Sequence, residues 1–584
     1  MQLKEKYSWA VVILGSILAV FVPFLFYKLT FGSWIPAIIP QLETDTIYYL
    51  THIQQVLSGH ATLGNPYFLE YRDSAFPGLL LPIYLASIPG LLGFDIHVVY
   101  AINAVLYAAI TGGIIFVLNR KILQGRLVVS ALITIVGIAS LANLISRPGI
   151  MQTIYPVFGL FMIALLMVLR SPHEAKRYVP LGIISAIAFY LYPHLWMQNF
   201  TSIGLFFLYA LFSRDTKTIK LLMMMGVGII VACIPQILTT ISLFTDPVAS
   251  AINTRSGLID THIVLPLTIY NNKYSIVLIG TLVLLRFRRH FSSEEALLLL
   301  LTSAVVIAAT SNVITGKVMD FVTHPWRLAL LVNIVAIPIL IQSLSKRKTQ
   351  CEKMVIILCV AAMIFTTVNR AFIRKNSYSY TLSPYKERVV EAHENISGFA
   401  DVFAALEQEG VHDAVLHGGP MLSFYIPLYS PNGILFTPRA ALHVAPDEEL
   451  LERFLVAYSG HIDEAFLRES VSNYAGLNPT YSLRYLSAYP DTTPLGVAKT
   501  FLFGLDGSVN EKITVDPMDL IGGDAYIQNA LKLSAEIDSN YEEYLKKYNV
   551  RYLVADTKDE RAIQIPKSAS ILYKNGRFIV YEVN

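Results

Sequence analysis

Charge is scarce in this sequence. Asp, Glu, Lys and Arg make up 15% of its 584 residues, where a soluble chain of this size carries about 25%. Hydrophobic residues stand at 54% and mean hydropathy at +0.52. That balance excludes an ordinary soluble protein, and no nucleic-acid partner is expected. Cysteine is nearly absent: Cys233, Cys351 and Cys359 all precede residue 373, so disulfides do not hold the remainder together. Acidic residues are rarest at the front. Residues 1–372 contain 26 Lys+Arg and only 14 Asp+Glu, whereas residues 373–584 contain 19 and 28. The C-terminal part also has no P-loop, no zinc-ligand spacing and no Ser-His-Asp motif.

What the chain has in abundance is apolar runs. Stretches of about 17–25 residues, long enough to cross a roughly 30 Å hydrocarbon core, recur from residue 8 to residue 371. Eleven spans are expected near 8–27, 96–118, 127–145, 151–169, 178–194, 198–212, 219–242, 273–285, 295–313, 327–344 and 354–371. The first has a basic start but no small-residue cleavage site after it, so it reads as an uncleaved helix. With the N-terminus inside, the cytoplasmic loops gather 18 of the 26 basic residues. The segment 76–93, interrupted by three prolines and three glycines, is expected to lie at the outer interface. The expectation is thus a polytopic α-helical membrane protein: a transmembrane domain over 1–372 and an extracytoplasmic α/β domain over 373–584, in a cytoplasmic membrane.

In the tail, "HDAVLHGGPMLSFYIPLYSPNGILFTPRAAL" reads as short strands with Pro/Gly turns, followed by a helix "DEELLERFLVAY". "YEEYLKKYNVRYLVAD" reads as helix then strand, and "ASILYKNGRFIVYEV" as a hairpin turning at "NG".

That topology makes one stretch unusual. The first outer loop, 28–95, contains "ETDTIYYLTHIQQVLSGH" and "LEYRDSAFPG". Four of the eight outward acids before residue 373 crowd into residues 43–73: Glu43, Asp45, Glu70 and Asp73. The span interiors carry no ionisable acid or base, which disfavours coupled transport. Locally, "TDTIYYLTHIQQVLSG" is a short interfacial helix, capped by Thr44 or Asp45 and ended by Gly59, with Ile47, Leu50, Ile53 and Leu57 as its apolar stripe. A site here has no nucleotide pool, so group transfer needs a donor delivered on a lipid. Such a reaction asks for a carboxylate to deprotonate or orient the acceptor, for cations on the departing phosphate, and for an apolar groove. Asp45 and Glu43 supply the first. Arg72, Arg147, Arg255 and Arg327 are outward or boundary arginines suited to phosphate. Tyr48, Tyr49, Asp73 and His324 are candidate substrate contacts, and the long loop 243–264 is expected to be functional or mobile.

The acidic motif, the short helix ending "VLSG" and the Pro-containing segment ending in Gly, in that order, resemble the GT-C superfamily. These are glycosyltransferases that use polyprenyl-phosphate sugars, and they include aminoarabinose transferases, protein O-mannosyltransferases and oligosaccharyltransferase catalytic subunits. The resemblance implies transfer of a hexose or pentose, with inversion, from a polyprenyl-phosphate donor to a lipid, glycan or protein acceptor at the outer face. It implies Asp45 as the catalytic acid, Glu43 and Asp45 as a Mg or Mn site in the metal-dependent branch, and Arg72 near a phosphate-binding position. The chain departs from it in two ways. Glu43-Thr44-Asp45 stands where other branches carry Asp-Glu, and the tail lacks the tryptophan–aspartate signature. The alternative is a non-catalytic membrane protein on a similar scaffold: a lipid-glycan binder, assembly factor or transporter.

Overall fold

A computed structural model describes residues 2–32, 44–255, 262, 272–286, 291–316, 324–347, 349–372, 386–471, 521–559 and 562–583. The membrane part runs α1 (Gln2–Phe31), α2 (Thr44–Leu57), α3 (Leu81–Leu91), α4 (Ile96–Ile122), α5 (Leu127–Ile145), α6 (Ile150–Arg170) and α7 (Tyr178–Leu191). It continues through α8 (Pro193–Phe212), α9 (Thr216–Thr245), α10 (Pro247–Arg255), α11 (Lys273–Arg286), α12 (Ser293–Ala309), α13 (Pro325–Ser345) and α14 (Gln350–Phe372).

Eight described helices are long and apolar enough to cross a membrane: α1, α4, α5, α6, α8, α9, α13 and α14. The other three expected spans coincide with α7, α11 and α12, of 14, 14 and 17 residues. The expected break after residue 194 falls earlier. Tyr192 is extended because Pro193 disfavours helical backbone before it and opens α8 itself. α6 and α13 are the central helices, with 72% of their apolar windows buried, against 22% for α9. Along α9, Met223, Met224, Val227, Ile230 and Val231 are all exposed. A continuous apolar stripe of this kind is a face that lipid covers.

Polarity runs along the bundle axis. At one end Arg120 pairs with Glu5, Arg170 donates to Glu294 (2.6 Å) and to the Lys121 carbonyl (3.2 Å), and Arg347 is buried against Glu295. α4, 27 residues and so about 40 Å long, carries the chain from there to the opposite end, where the first loop and the C-terminal domain lie. Segment 76–93 contains only the 11-residue α3, about 16 Å of helix and too short to cross. It lies on α2 closely enough that a Cβ on Gly90 would meet Leu57 Cδ1 at 2.5 Å.

The C-terminal domain comprises α15 (Lys386–Gln408), α16 (Pro420–Tyr429), α17 (Asp447–Ala457), α18 (Glu464–Glu469), α19 (Gly523–Ser539), α20 (Tyr541–Lys547) and a five-stranded sheet. The strands are β1 (Val415–Gly418), β2 (Gly433–Ile434), β3 (Val550–Asp556), β4 (Ser570–Lys574) and β5 (Phe578–Glu582), in spatial order β2-β1-β3-β5-β4. β1 pairs parallel with β2 and β3; β5 pairs antiparallel with β3 and β4. The hairpin forms about Asn575, whose side chain accepts from Arg577 N and Phe578 N. "PMLSFYIPLY", expected among the strands, is instead the helix α16: Pro420 stands at its first position, where its missing N–H costs nothing.

One contiguous apolar core passes from the membrane helices into this domain, uniting Ile145 and Val332 with Leu416, Ile426 and Val554. The first loop is its seam. Ile434 N on the sheet edge donates to the Tyr67 carbonyl at 2.9 Å, and Asn65 Nδ2 reaches the Ala440 and Val444 carbonyls at 3.4 Å each. Gly64 must be glycine here, because a Cβ would lie 2.5 Å from the carbonyl oxygens of Tyr71 and Arg72.

Candidate active site

α2 forms as the periodicity predicts. Ile47, Leu50 and Ile53 are buried, and Gly59, at φ +90°, reverses the chain after the last turn. This puts Asp45 in the first turn, where the helix dipole favours a negative charge. A second turn faces it. Pro148 ends α5, Gly149 at φ +70° redirects the chain into α6, and Arg147 projects from the reversal.

Arg147 Nη2 donates to Asp45 Oδ2, and its guanidinium lies 5.4 Å from the centre of the Tyr49 ring. The other oxygen, Oδ1, accepts from Arg439 Nη2 at 2.7 Å. Arg439 belongs to the C-terminal domain, in a 3-10 turn over Pro438–Leu442, and stands over the Tyr48 ring at 5.6 Å. A third guanidinium, Arg327 in the first turn of α13, also acts on Asp45 electrostatically. Burial pushes the Asp45 carboxyl up, but Arg147, then Arg439 and Arg327, outweigh it and hold it below the usual carboxylate value. Two guanidiniums thus hold the two oxygens of Asp45, and a third lies near enough to act on its charge. Arg327 pairs with no carboxylate among the described residues; its Nη1 lies 3.7 Å from Met151 Sδ, and its buried Nε has no hydrogen-bond partner there.

Beside this cluster lies an aromatic box. The His52 and His443 rings stack at 5.0 Å, with Tyr48 4.4 Å from His52 and Tyr67 5.8 Å from His443. His52 Nδ1 donates to the Tyr48 carbonyl at 2.7 Å, which leaves its Nε2 as a buried acceptor. Burial lowers the His52 imidazole from 6.5 to about 4 despite that bond, and lowers His443 well below its ordinary value. Both rings are therefore neutral near pH 7.

The other expected residues are placed elsewhere. Arg72 donates to Asp413 (3.2 Å) and to the Pro431 carbonyl (2.7 Å), fastening the loop to the domain. Arg255, 2% exposed, donates to Asp447 at 2.6 Å and to the carbonyls of Ala441, His443 and Ala445. Both are consumed as interface anchors, because C-terminal carbonyls and acids reach them. Asp73 is exposed and 3.3 Å from His60, past the far end of α2 and so about 20 Å from Asp45 along the helix. His324 packs with His194 (5.5 Å) and Tyr192 (6.1 Å), one turn before Arg327. Glu43, and most of 243–264 beyond Arg255, lie outside the described residues.

Both Asp45 oxygens are held by guanidiniums, and no group of three or more His, Cys, Asp or Glu gathers among the described residues; Glu43, the other expected metal ligand, lies outside them.

Sequence reasoning did not single out Arg439. Its one signal is isolation: it is the only Lys or Arg between Arg388 and Arg453.

No protein-family model matches this chain, and no curated protein matches it. Among solved structures it is similar to the crystal structure of the Archaeoglobus fulgidus oligosaccharyltransferase in the apo form. The match has 12% identity and a TM-score of 0.38, and covers 95% of this chain and 70% of that one. A likeness of that degree assigns neither fold nor activity.

Proposed function

We propose that the chain is a membrane glycosyltransferase that moves a sugar from a polyprenyl-phosphate-linked donor to a lipid, glycan or protein acceptor at the extracytoplasmic face of a cytoplasmic membrane. The observation that carries this reading is the convergence of Arg147, Arg327 and Arg439 on Asp45 at the ends of the two central helices. Clustered guanidiniums suit phosphate oxygens bidentately. Their place at one end of a lipid-clad bundle matches a substrate whose phosphate sits at a membrane surface and whose tail lies in it.

In this reading the acceptor's nucleophilic atom attacks the anomeric carbon opposite the leaving oxygen. The C–O bond to phosphate breaks, and the guanidiniums take up the charge that develops on the departing phosphate. Asp45, held below its ordinary pKa, is a weak base. Its role is to accept a hydrogen bond from the acceptor and orient it, with the proton passing on to water as the bond forms. For that, the donor phosphate draws at least one guanidinium away from Asp45. Arg439, mounted on a short turn of another domain, is the one placed to swing. Tyr48 and Tyr49 flank the carboxylate as a surface for the sugar. A scaffold without catalysis would keep the same double clamp on Asp45.

The two readings separate in membranes supplied with radiolabelled polyprenyl-phosphate sugars. Transfer by the wild type that falls at least 100-fold in Asp45→Ala supports catalysis. Transfer undiminished by that substitution removes Asp45 from the reaction.

A further inference from the structure

The end of the bundle away from Asp45 carries a surface of a different kind, where α8 turns into α9. His173, in the loop after α6, lies 3.0 Å from Asp215 at the start of α9 and fixes that turn at the basic end. Arg120, Arg170, Arg177 and Arg347 at this end each hold a carboxylate. Arg214, Lys217 and Lys220 are exposed, and none of them pairs with a carboxylate among the described residues. Asp215, the acid that stands between them in the chain, accepts instead from Thr218 N and Thr218 Oγ1.

Next to these cations α9 is apolar and uncovered. A groove of about 380 Å³ runs along it, lined by Thr216, Ile219, Lys220, Met223, Met224 and Val227. The positions recur at intervals of three and four, so they share one face of the helix. From Thr216 to Val227 the groove is about 16 Å long, close to half of a roughly 30 Å hydrocarbon core. A Cβ on Gly228 would meet no atom within 4 Å, so the face stays open beyond Val227. Another face of α9 is already used: Met225 and Ile229 are buried, and a Cβ on Gly182 of α7 would meet Met225 Cγ at 3.0 Å. Tyr209 and Phe212, at the end of α8, are 62% and 86% exposed, as suits aromatic rings at headgroup level.

Length and charge together select the occupant. An apolar groove as long as one leaflet is deep fits an acyl chain. Lys220 lends its stem to that groove while its ammonium reaches the headgroup layer. There a guanidinium and two ammoniums meet phosphate oxygens. A zwitterionic headgroup brings its own cation to this rim and gains less from it than an anionic one. We propose that this face of α9 binds an anionic phospholipid of the adjoining leaflet, with its phosphate at Arg214, Lys217 and Lys220 and an acyl chain along Met223, Met224 and Val227.

The test uses the full chain in phosphatidylcholine nanodiscs with a photoreactive phosphatidylglycerol, its crosslinks mapped by mass spectrometry. Saturable labelling of 209–227 is expected. A tenfold excess of unlabelled phosphatidylglycerol should reduce it at least fivefold, and the same excess of phosphatidylethanolamine should leave it within twofold. Arg214→Gln, Lys217→Gln and Lys220→Gln combined, all at exposed positions, should reduce labelling at least fivefold. Arg126→Gln, which removes another exposed cation at the same end, should leave it. Met224→Trp, which fills the groove with the cations in place, should also reduce it. Asp45→Ala should leave labelling intact, so the outcome is independent of the transferase reading. Equal competition by phosphatidylethanolamine, or an equal loss in Arg126→Gln, would mean a general attraction of basic loops for lipid and overturn the proposal. Competition by inorganic phosphate as strong as by phosphatidylglycerol would mean a soluble anion and overturn it as well.

Discussion

At the scale of single residues, the proposed chemistry rests on how one carboxylate is shared. Asp45 has two oxygens, one held from the membrane part by Arg147 and the other from the C-terminal domain by Arg439. The pairs are part-buried, but losing Arg439 leaves the carboxylate still held by Arg147. Arg439→Ala should therefore leave the protein folded while lowering transfer at least tenfold; a thermal melt and the radiolabel assay together check both halves. The stacked imidazoles behave differently. Folding holds His52 at about 4 against an ordinary 6.5, so the unfolded chain binds more protons between those values. Stability is full above pH 6.5 and is lost as pH falls toward 4, by about 3 kcal/mol for His52 alone. His443 adds to the loss in the same direction, and the nearby Arg439 charge repels its protonated form. Melting temperature should drop across that window in the wild type and drop less in His52→Gln. Equal pH profiles would remove the imidazole pair from the account.

At the scale of elements, the first loop owes its shape to α2, the 147–149 reversal and the 438–445 turn. The first was legible in the sequence, since Ile47, Leu50 and Ile53 repeat at helical spacing and Gly59 marks the end. Asp45 stood out in the sequence because carboxylates are few in the front part of the chain, and the structure sets two arginines on it. Arg439 did not stand out, since its partner lies 394 residues away in the chain. Arg72 and Arg255 illustrate the remaining difficulty. An outward arginine looks the same in sequence whether it meets a lipid phosphate or the chain's own carbonyls, and only the folded 431–447 segment distinguishes the cases. For the same reason "PMLSFYIPLY" read as strand: its aromatic and branched residues suit a sheet, but Pro420 and the packing of α16 on α2 decide for helix. Arg255 ties α10 to the turn that bears Arg439, through Asp447 and three carbonyls. Arg255→Ala should raise amide hydrogen exchange across 438–447 and lower transfer with Asp45 still in place. Unchanged exchange there would show that the turn stands without α10.

At the scale of the whole molecule, eight long apolar helices, a lipid-facing stripe on α9 and basic clusters at one end describe a membrane bundle. The C-terminal domain is fastened to the other end by the first loop, and one apolar core runs through both. Composition made the membrane class and the two-part organisation readable, because lipid demands long apolar runs and leaves little room for charge. The seam between the parts was not readable, because it is built from scattered polar residues such as Asn65, Arg72 and Arg453. Arg453, for example, is 1% exposed and bridges Glu70 in the first loop to Glu449 beside it. In the proposed reading the donor's phosphate comes to Arg147, Arg327 and Arg439 at this seam. The direct measurement is the affinity of the full chain for undecaprenyl phosphate, by native mass spectrometry from nanodiscs. Arg327→Ala should raise Kd at least tenfold, while Arg126→Ala, exposed at the opposite end, should leave it within threefold of the wild type. Equal affinity in all three proteins would contradict the phosphate site and the transferase reading built on it.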